Sequence, residues 1–342
     1  MNISPLRLKK RAQRNVNVYF HIVYDDSCKS PPGSEEYETM CGYLTDTTLD
    51  LQMEKLNELY AEAGFTFTKV KTEYIMNSKL STSFFPMVKT QRPAFNSIVK
   101  QQYHIGTFSD LNVYTTHLTQ GLLGSTTAVK QMEQAMLSKP STLTGSMKHD
   151  GVMVNFRSFP GITKKVADKK FPGGYAALIA NAAQRSKSER LGVTLVHEVG
   201  HWLNLRHPMN KDLQPPHKQC SYPNDEIRDT RPMSSCAYQD NDGLCKKVGS
   251  KPIPKKCALK GEVGSASASN DCSCHNYNMV LSDLSSASNT ISPLYERQWK
   301  EDRDKYAEPT TNIMAYFNDD CRVEFSPMQI ERMQQFWDKY RK

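Results

Sequence analysis

The chain has no run of about eighteen consecutive apolar residues, so the sequence predicts no membrane-spanning helix. It also has no CxxC pair among its nine cysteines, which disfavours zinc fingers and zinc ribbons. The formal net charge of +8 is small for 342 residues, and basic residues are scattered among acidic ones apart from RLKKRAQR at residues 7–14. A nucleic-acid-binding protein usually gathers its basic residues in one stripe with interleaved aromatic residues. We therefore expect neither a membrane nor a nucleic acid as a partner.

The nine cysteines are unevenly distributed. Cys28 and Cys41 lie near the start, and the other seven follow residue 219. Cysteines crowded into loop-rich sequence are typical of disulfide-bonded proteins from an oxidising compartment, so we expect secretion. Because nine is odd, at least one thiol is free or pairs elsewhere. Residues 1–16 contain no apolar segment of a signal peptide. LKKR at residues 8–11 indicates either a processing site or a basic tail.

Hydrophobic patterns predict the secondary structure. Runs of β-branched and aromatic residues predict strands at residues 16–26, 65–70, 110–118 and 150–156. Residues 119–127 look like a loop, and residues 208–290 have almost no periodicity. Helices are predicted at residues 49–60, 188–205, 292–307 and 325–340, the last with Ser326 as its cap and Pro327 at its first position.

Three histidines and a glutamate lie within TLVHEVGHWLNLRH, residues 194–207. On a helix, His197 and His201 are four residues apart and share one face, so both imidazoles can bind a single ion. Glu198 lies beside the first histidine, where it can hold the water of the ion and act as a general base. This is the HExxH pattern of zinc hydrolases, in which zinc lowers the pKa of bound water from about 16 towards about 7.

A third ligand must come from outside that helical turn, and His207 is the candidate. The chain has to turn sharply between His201 and His207. The metzincin pattern HExxHxxGxxH places a glycine at this bend, whereas the present chain has Asn204. After glycine, asparagine is the residue that best tolerates a left-handed conformation. The spacing of all three histidines favours a zinc site over the alternative, an amphipathic helix that happens to be rich in histidine.

The metzincin pattern also includes a later turn that contains methionine. Two segments are candidates, HNYNMVLSD with Met279 and NIMAYFNDDC with Met314. We favour Met314, because a tyrosine follows two residues later and an acidic turn and a capped helix come next. Met314 would form an apolar floor under the zinc, which is nearly the role of an ordinary core methionine. Tyr316 could stabilise a developing oxyanion; the alternative is a packed tyrosine with a satisfied hydroxyl.

The chain resembles the pappalysin family (M43-type) of metzincin zinc metalloproteases. The segments that carry the resemblance occur in the family's order and spacing: VYFHIVY, LNELYAEAGFTF, LNVYTTHLTQGLLGSTT, DGVMVNF, LVHEVGHWLNLRH and NIMAYFNDDCRVEFSPMQIERM. The resemblance extends over about residues 16–338 and is strongest to the compact secreted, single-domain members found in fungi and bacteria. The zinc motif is highly specific, and the last segment distinguishes this family from other metzincins.

The resemblance implies an α+β, metzincin-like fold with a single catalytic domain at residues 16–342, after a basic tail or propeptide remnant at residues 1–15. An upper subdomain (residues 16–204) would contain a mixed five-stranded sheet and helices. A lower subdomain (residues 205–342) would contain disulfide-linked loops and a C-terminal helix, with zinc at the floor of the cleft between the two. By the match, the zinc ligands are His197, His201 and His207, the base is Glu198, the Met-turn residue is Met314 and the transition-state helper is Tyr316.

The resemblance also implies a disulfide pairing. Family members commonly carry DT before a cysteine after the zinc site, and IRDTRPMSSC matches with Asp229, Thr230 and Cys236. We expect Cys236 to pair with Cys321. Cys220 would pair with one of the following: Cys245, Cys257, Cys272 or Cys274.

The chain departs from the family pattern in three ways. Asn204 replaces the glycine at the bend, residues 237–310 look enlarged, and the expected signal peptide and prodomain are missing, which indicates a fragment or an incomplete gene model. YQDNDG at residues 238–243 offers the oxygens of Asp240 and Asp242 to Ca²⁺. An ordinary Asx turn is the favoured interpretation there, because the EF-hand spacing is incomplete.

We predict a secreted, zinc-dependent endopeptidase that acts as a monomer on protein or peptide substrates. The substrate strand would pair with an edge strand of the upper subdomain, and Glu198 would move the proton of the attacking water to the leaving amine. The alternative is a catalytically inactive, zinc-stabilised binding protein of the same fold, suggested by Asn204 and the enlarged segment. The presence of Glu198 and Tyr316 argues against it, because an inactive site has no use for a base.

Overall fold

A computed structural model describes the chain at residues 13–27, 34–82, 95–118, 122–126, 147–160, 191–208, 225–230, 245–248, 251–254, 311–315, 319 and 322–342. Within these ranges, no helix has the length and apolar character needed to cross a membrane. The helix predicted at residues 292–307 lies outside them. The division into subdomains at residue 205 stays a prediction.

A mixed five-stranded sheet forms the centre of the fold, as the resemblance implied. Its strands in chain order are β1 (Arg14–Tyr24), β2 (Phe65–Met76), β3 (Leu111–Thr116), β4 (Gly124–Thr126) and β5 (Val152–Asn155). They lie side by side in the order β2-β1-β3-β5-β4. Strands β1, β2, β3 and β5 run parallel to one another, and β4 runs antiparallel to β5. Short β4 is therefore one edge of the described sheet.

Helices cover the sheet and extend beyond it. They are α1 (Glu35–Cys41), α2 (Asp46–Tyr60), α3 (Ser78–Thr82), α4 (Gln101–Tyr103), α5 (Val193–Trp202) and α6 (Pro327–Phe336). A π-helical turn (Asn96–Lys100) precedes α4, and a second one (Trp337–Arg341) continues α6. Two further strands, β6 (Cys245–Val248) and β7 (Lys251–Pro254), form an antiparallel hairpin.

The predicted strands at the sheet centre are confirmed to within a few residues, and two expectations for irregular chain are wrong. Residues 119–127 were expected to be a loop, but residues 124–126 pair with β5 as β4. The hairpin of β6 and β7 lies within residues 208–290, whose sequence has almost no periodicity. Both misses have one cause: three or four residues are too short for a period-2 pattern, and pairing with a neighbour decides their conformation.

Alternate residues of β1 supply two hydrophobic cores on the two faces of the sheet. Val16, Val18, Phe20 and Ile22 point into the larger core, where α2, α5 and α6 pack. Val23 points into a smaller core on the other face. The larger core also includes residues from the C-terminal part of the chain: Ile313, Met314, Phe325, Ile330, Met333 and Trp337. The C-terminal part is thus packed directly against the sheet-and-helix layer that carries the histidine motif.

A buried ion pair between the end of the chain and the residue before the turn into β5 lies against the end of α5. Arg341 and Asp150 are each 1% exposed, and their side chains are 2.7 Å apart. The Arg341 guanidinium also lies 3.7 Å above the Trp202 ring and donates to the Trp202 carbonyl at 3.1 Å. Burial alone raises the pKa of Asp150, but the charge and hydrogen bonds of Arg341 outweigh burial and hold this pKa below 3.8.

Replacing Arg341 with methionine should lower the free energy of unfolding by about 3–5 kcal/mol, because the Asp150 charge is left buried without its partner. Urea denaturation of both proteins with equal zinc would measure the difference. Lys339→Met, an exposed change in the same turn, is the control and should stay within about 0.5 kcal/mol of the wild type. Equal losses in the two variants would contradict the role of the ion pair.

Candidate metal centre

Helix α5 carries the first two histidines and is buried along almost its whole length. Nine of its ten residues are buried, all but His201. Its N-cap is Gly192, which has a left-handed φ of 77° and no side chain that could cap the helix. Gln52 on α2 donates to the Gly192 carbonyl at 3.0 Å, and Tyr60 donates to the Val196 carbonyl at 3.0 Å. Side chains from α2 therefore fix α5 along its axis.

The three histidines converge on one point, as predicted. The Nε2 atoms of His197 and His201 are 3.1 Å apart, and each lies 3.0 Å from Nε2 of His207. His197 is 4% exposed. Three nitrogens that bond one zinc ion at about 2.0–2.1 Å in tetrahedral geometry lie about 3.3–3.4 Å apart. The imidazole nitrogens are within about 0.4 Å of that spacing, so all three can bind a single ion.

Backbone carbonyls set the orientation of the two helical imidazoles. Nδ1 of His197 lies 2.8 Å from the Ile313 carbonyl oxygen, and Nδ1 of His201 lies 2.8 Å from that of Leu205. A carbonyl can only accept, so both Nδ1 atoms carry the proton and donate it. In the neutral rings the lone pairs are then on Nε2, facing the common point. A hydrogen bond from Nδ1 to a carbonyl in this way fixes the tautomer in which Nε2 can bind a metal.

The same tautomers test whether a metal fits. With both Nδ1 atoms protonated, the Nε2 lone pairs of His197 and His201 face each other across 3.1 Å. No hydrogen bond joins two lone pairs, and a cation between them would relieve their repulsion. Among the described residues, these three histidines are the only cluster of potential metal ligands. The donor set therefore fits a divalent cation, and three neutral imidazoles suit zinc.

Asn204 makes the bend that brings His207 back. Its φ is 74°, in the left-handed region. The Leu205 N–H donates to the Gly200 carbonyl at 2.9 Å, and the Asn204 N–H donates to the His201 carbonyl at 3.0 Å. These two bonds form a Schellman motif with Asn204 at the left-handed position. The motif also turns the Leu205 carbonyl back onto His201, so one turn ends the helix and orients a ligand.

Met314 lies beneath α5, fully buried. A methyl group added at Gly200 would lie 2.5 Å from its sulfur, so the thioether packs directly on the helix backbone between His197 and His201. Its turn, residues 311–315, also provides the Ile313 carbonyl that binds His197. The structure places Met314 where the pattern predicts the Met-turn, and its role stays a prediction.

Polar side chains that the sequence did not reveal hold this turn. Asn312 accepts from the Met314 N–H at 2.9 Å and exchanges two hydrogen bonds with Gln329 on α6. Gln329 and Ser326 form the capping box of α6. Asp229 from the predicted DT pair accepts from the Ser326 hydroxyl at 2.6 Å. These bonds connect the DT pair to the histidine site through the helix cap; a capping-box pattern, Ser followed three residues later by Gln, was the available signal.

Thr230, the other member of the DT pair, binds a buried carboxyl group. Its hydroxyl lies 2.5 Å from Asp225 Oδ2, and Asp225 is fully buried. Burial raises the pKa of Asp225 to about 7, although hydrogen bonds from Thr230 and Ile227 lower it in part. The folded protein therefore binds a proton at Asp225 more tightly than the unfolded chain does.

Glu198 lies between α5 and the edge strand β4. It is 6% exposed. Its Oε2 accepts from the Thr126 hydroxyl at 2.8 Å, and its side chain lies directly over Gly124. The predicted base is thus inside the site, next to His197, and is held against the sheet edge.

Several predicted site residues lie outside the described residues: Tyr316, Cys236, Cys321, Asp240, Asp242 and Met279. Their proposed roles stay predictions. Cys41 takes part in a disulfide bond, which agrees with the expectation of an oxidising compartment.

Exchanging Asn204 for glycine should preserve the zinc content and stability, whereas Asn204→Ala should cost about 1–2 kcal/mol because alanine is strained at a positive φ. Urea denaturation and metal analysis of the zinc-loaded variants would measure both. Asn15→Ala, an exposed change on β1, controls for loss of an asparagine. An alanine variant as stable as the glycine variant would show that the bend does not depend on the left-handed conformation.

Asp225 should make the folded protein less stable as pH rises. The unfolded carboxyl has a pKa near 3.8 and the folded one about 7, so the folded state binds the extra proton and stability is lost between about pH 4 and pH 7. Asp225→Asn should remove this loss, so that the variant gains stability relative to the wild type from pH 5 to pH 8. Melting temperatures at saturating zinc would test this, with exposed Asp26→Asn as control. A constant difference between the two proteins would contradict it.

Comparison with known proteins gives relatives along nearly the whole chain, although no family model matches it. An extracellular metalloprotease of Colletotrichum graminicola is 24% identical over 329 residues, which cover 95% of this chain and 77% of the relative. An extracellular metalloprotease of Verticillium alfalfae is 24% identical over 337 residues, covering 98% and 79%. The expected similarity to secreted metalloproteases is confirmed, and the pappalysin subtype stays a prediction.

Among solved structures, mirolysin in complex with compound 9 matches with a TM-score of 0.51 and 17% identity, over 96% of this chain and 93% of that chain. At this identity the match concerns the fold alone, and it confirms the α+β class expected from the sequence. The chain thus has the metzincin-like fold that it shares with mirolysin, and in sequence it is similar to fungal extracellular metalloproteases.

Proposed function

We propose that this chain is a secreted zinc metalloendopeptidase of the pappalysin type, acting as a monomer on protein or peptide substrates. The observation that carries the proposal is the meeting of three histidine Nε2 atoms at 3.0–3.1 Å, with the buried Glu198 carboxyl beside them. The names of the extracellular relatives support secretion and proteolysis. Three histidine ligands without a thiolate support zinc as the ion.

The proposed chemistry assigns each side chain one task. His197, His201 and His207 would hold zinc, which when bound lowers the pKa of a water molecule and polarises the scissile carbonyl. Glu198 takes the proton of the attacking water and delivers it to the leaving amine. Tyr316 stabilises the negative charge that develops on the carbonyl oxygen.

The edge strand β4 is the proposed place for the substrate backbone. It is paired only to β5 among the described strands, and one of its side chains binds Glu198. An extended peptide that adds to this edge would be aligned by main-chain hydrogen bonds. The scissile bond would then pass close to the Glu198 carboxyl. This arrangement provides orientation, which alone accounts for a large part of many catalytic rate enhancements.

The alternative, an inactive zinc-stabilised binding protein, has lost one of its two motives. It was suggested partly by Asn204, but this residue adopts the left-handed conformation that the bend needs. Glu198 is also held in place by Thr126 at the site. A protein that only binds would have no need of a carboxylate fixed in this position.

Changing Glu198 to alanine should leave one zinc ion bound and lower the rate of peptide cleavage by about a hundred- to ten-thousandfold, because the general base is lost. Casein cleavage, with metal analysis of each sample, measures both quantities, and a chelator should abolish the wild-type activity. Exposed Glu54→Ala on α2 is the matched control. Cleavage at the wild-type rate by zinc-loaded Glu198→Ala would exclude this mechanism. Stoichiometric zinc without any cleavage by the wild type would favour the inactive binding protein.

A further inference from the structure

The hydroxyl of Thr126 on the edge strand β4 shares its single proton between two oxygens of the proposed base, Glu198. The hydroxyl lies 2.8 Å from Glu198 Oε2 and 2.9 Å from the Glu198 backbone carbonyl. Hydrogen bonds to an ionised carboxylate are shorter and about twice as strong as bonds between neutral groups. The second contact ties the same hydroxyl to α5. One side chain therefore joins the edge strand, the helix and the carboxylate.

Gly124 leaves the space into which that carboxylate fits. A methyl group added there would lie 2.5 Å from both Cγ and Oε1 of Glu198, closer than side chains can approach. Its φ is not in the left-handed region, so the backbone of β4 does not itself require glycine. The close approach of Glu198 is the reason that a side chain is excluded at this position.

Gly124 and Thr126 are two residues apart on a strand and so face the same side. The first removes bulk on that face and the second supplies a donor. Together they leave Glu198 Oε1 over the glycine and fix Oε2 at the threonine. Two independent features of β4 thus position one side chain.

We propose that Thr126 is a positioning residue that holds the Glu198 carboxylate in its reactive orientation. The inference rests on the proposed peptidase function. If the hydroxyl is removed, the carboxylate turns away from the attacking water while the zinc ligands and the substrate-binding edge stay in place. The loss should then appear in kcat and not in KM, because only the transition state is affected.

The test compares Thr126→Val, which keeps the shape but lacks the hydroxyl, with Thr126→Ser, which keeps the hydroxyl. The valine variant should lower kcat by about ten- to hundredfold, as loss of a hydrogen bond to a charged group does, with KM changed less than about twofold and zinc stoichiometry unchanged. The serine variant should stay within about threefold of the wild type. A crystal structure of the valine variant should show the Glu198 carboxyl rotated away from β4.

Controls separate a positioning role from a structural one. Thr68→Val makes the same chemical change at an exposed site on β2 and should keep the wild-type kcat. Gly124→Ala keeps the hydroxyl but displaces the carboxylate, so it should also lower kcat at constant zinc. This second variant decides the matter if Thr126→Val does not fold: a normal kcat in Gly124→Ala would overturn the inference.

The role of Thr126 can prove wrong while the proposed peptidase function still stands. If Glu198→Ala abolishes cleavage while Thr126→Val cleaves like the wild type, the peptidase function stands and the role of Thr126 is wrong. A serine variant as slow as the valine variant would also overturn it, because the hydroxyl would then not be the relevant group. If Glu198→Ala itself retains full activity with zinc bound, the proposed function fails first.

Discussion

Two hydrogen bonds from imidazole to backbone carbonyl decide whether a metal site exists in this chain. His201 donates to Leu205, only four residues away, whereas His197 donates to Ile313, at a separation of 116 residues. The first bond needs only the turn at the end of α5. The second needs the C-terminal part of the chain to be docked against the helix. The site therefore depends at once on a local conformation and on packing between segments that are far apart in the sequence.

The docking of the C-terminal part is supported at two places. At one, Asn312 and Gln329 couple the Met314 turn to the cap of α6. At the other, Arg341 binds Asp150 and the backbone at Trp202, one residue after the second histidine. Because these buried polar groups are paired and the surrounding core is continuous, local opening of the C-terminal helix would release the His197 orientation together with the helix end.

The sequence revealed those features that repeat a pattern or carry a specific motif. The strands of the sheet centre, the capped helix α6 and the convergence of the histidines followed from periodicity, from Ser326 and Pro327, and from spacing. The left-handed bend at Asn204 followed from the geometry that a third ligand requires. By contrast, the bonds of Asp229 to the helix cap join residues 97 and 99 positions apart. No local pattern marks such contacts, because they arise only when distant segments pack.

The strand β4 shows why a short element can be important and yet leave almost no trace in the sequence. Three residues bury little, so no hydrophobic alternation is needed, and glycine lowers the strand propensity further. The glycine is required because a carboxyl group fills the space where its side chain would be. The feature that made Gly124 look like part of a loop is therefore the one that lets the edge strand approach Glu198. Residues constrained by the site in this way contradict local propensity, and such contradictions indicate where function has been selected over regular structure.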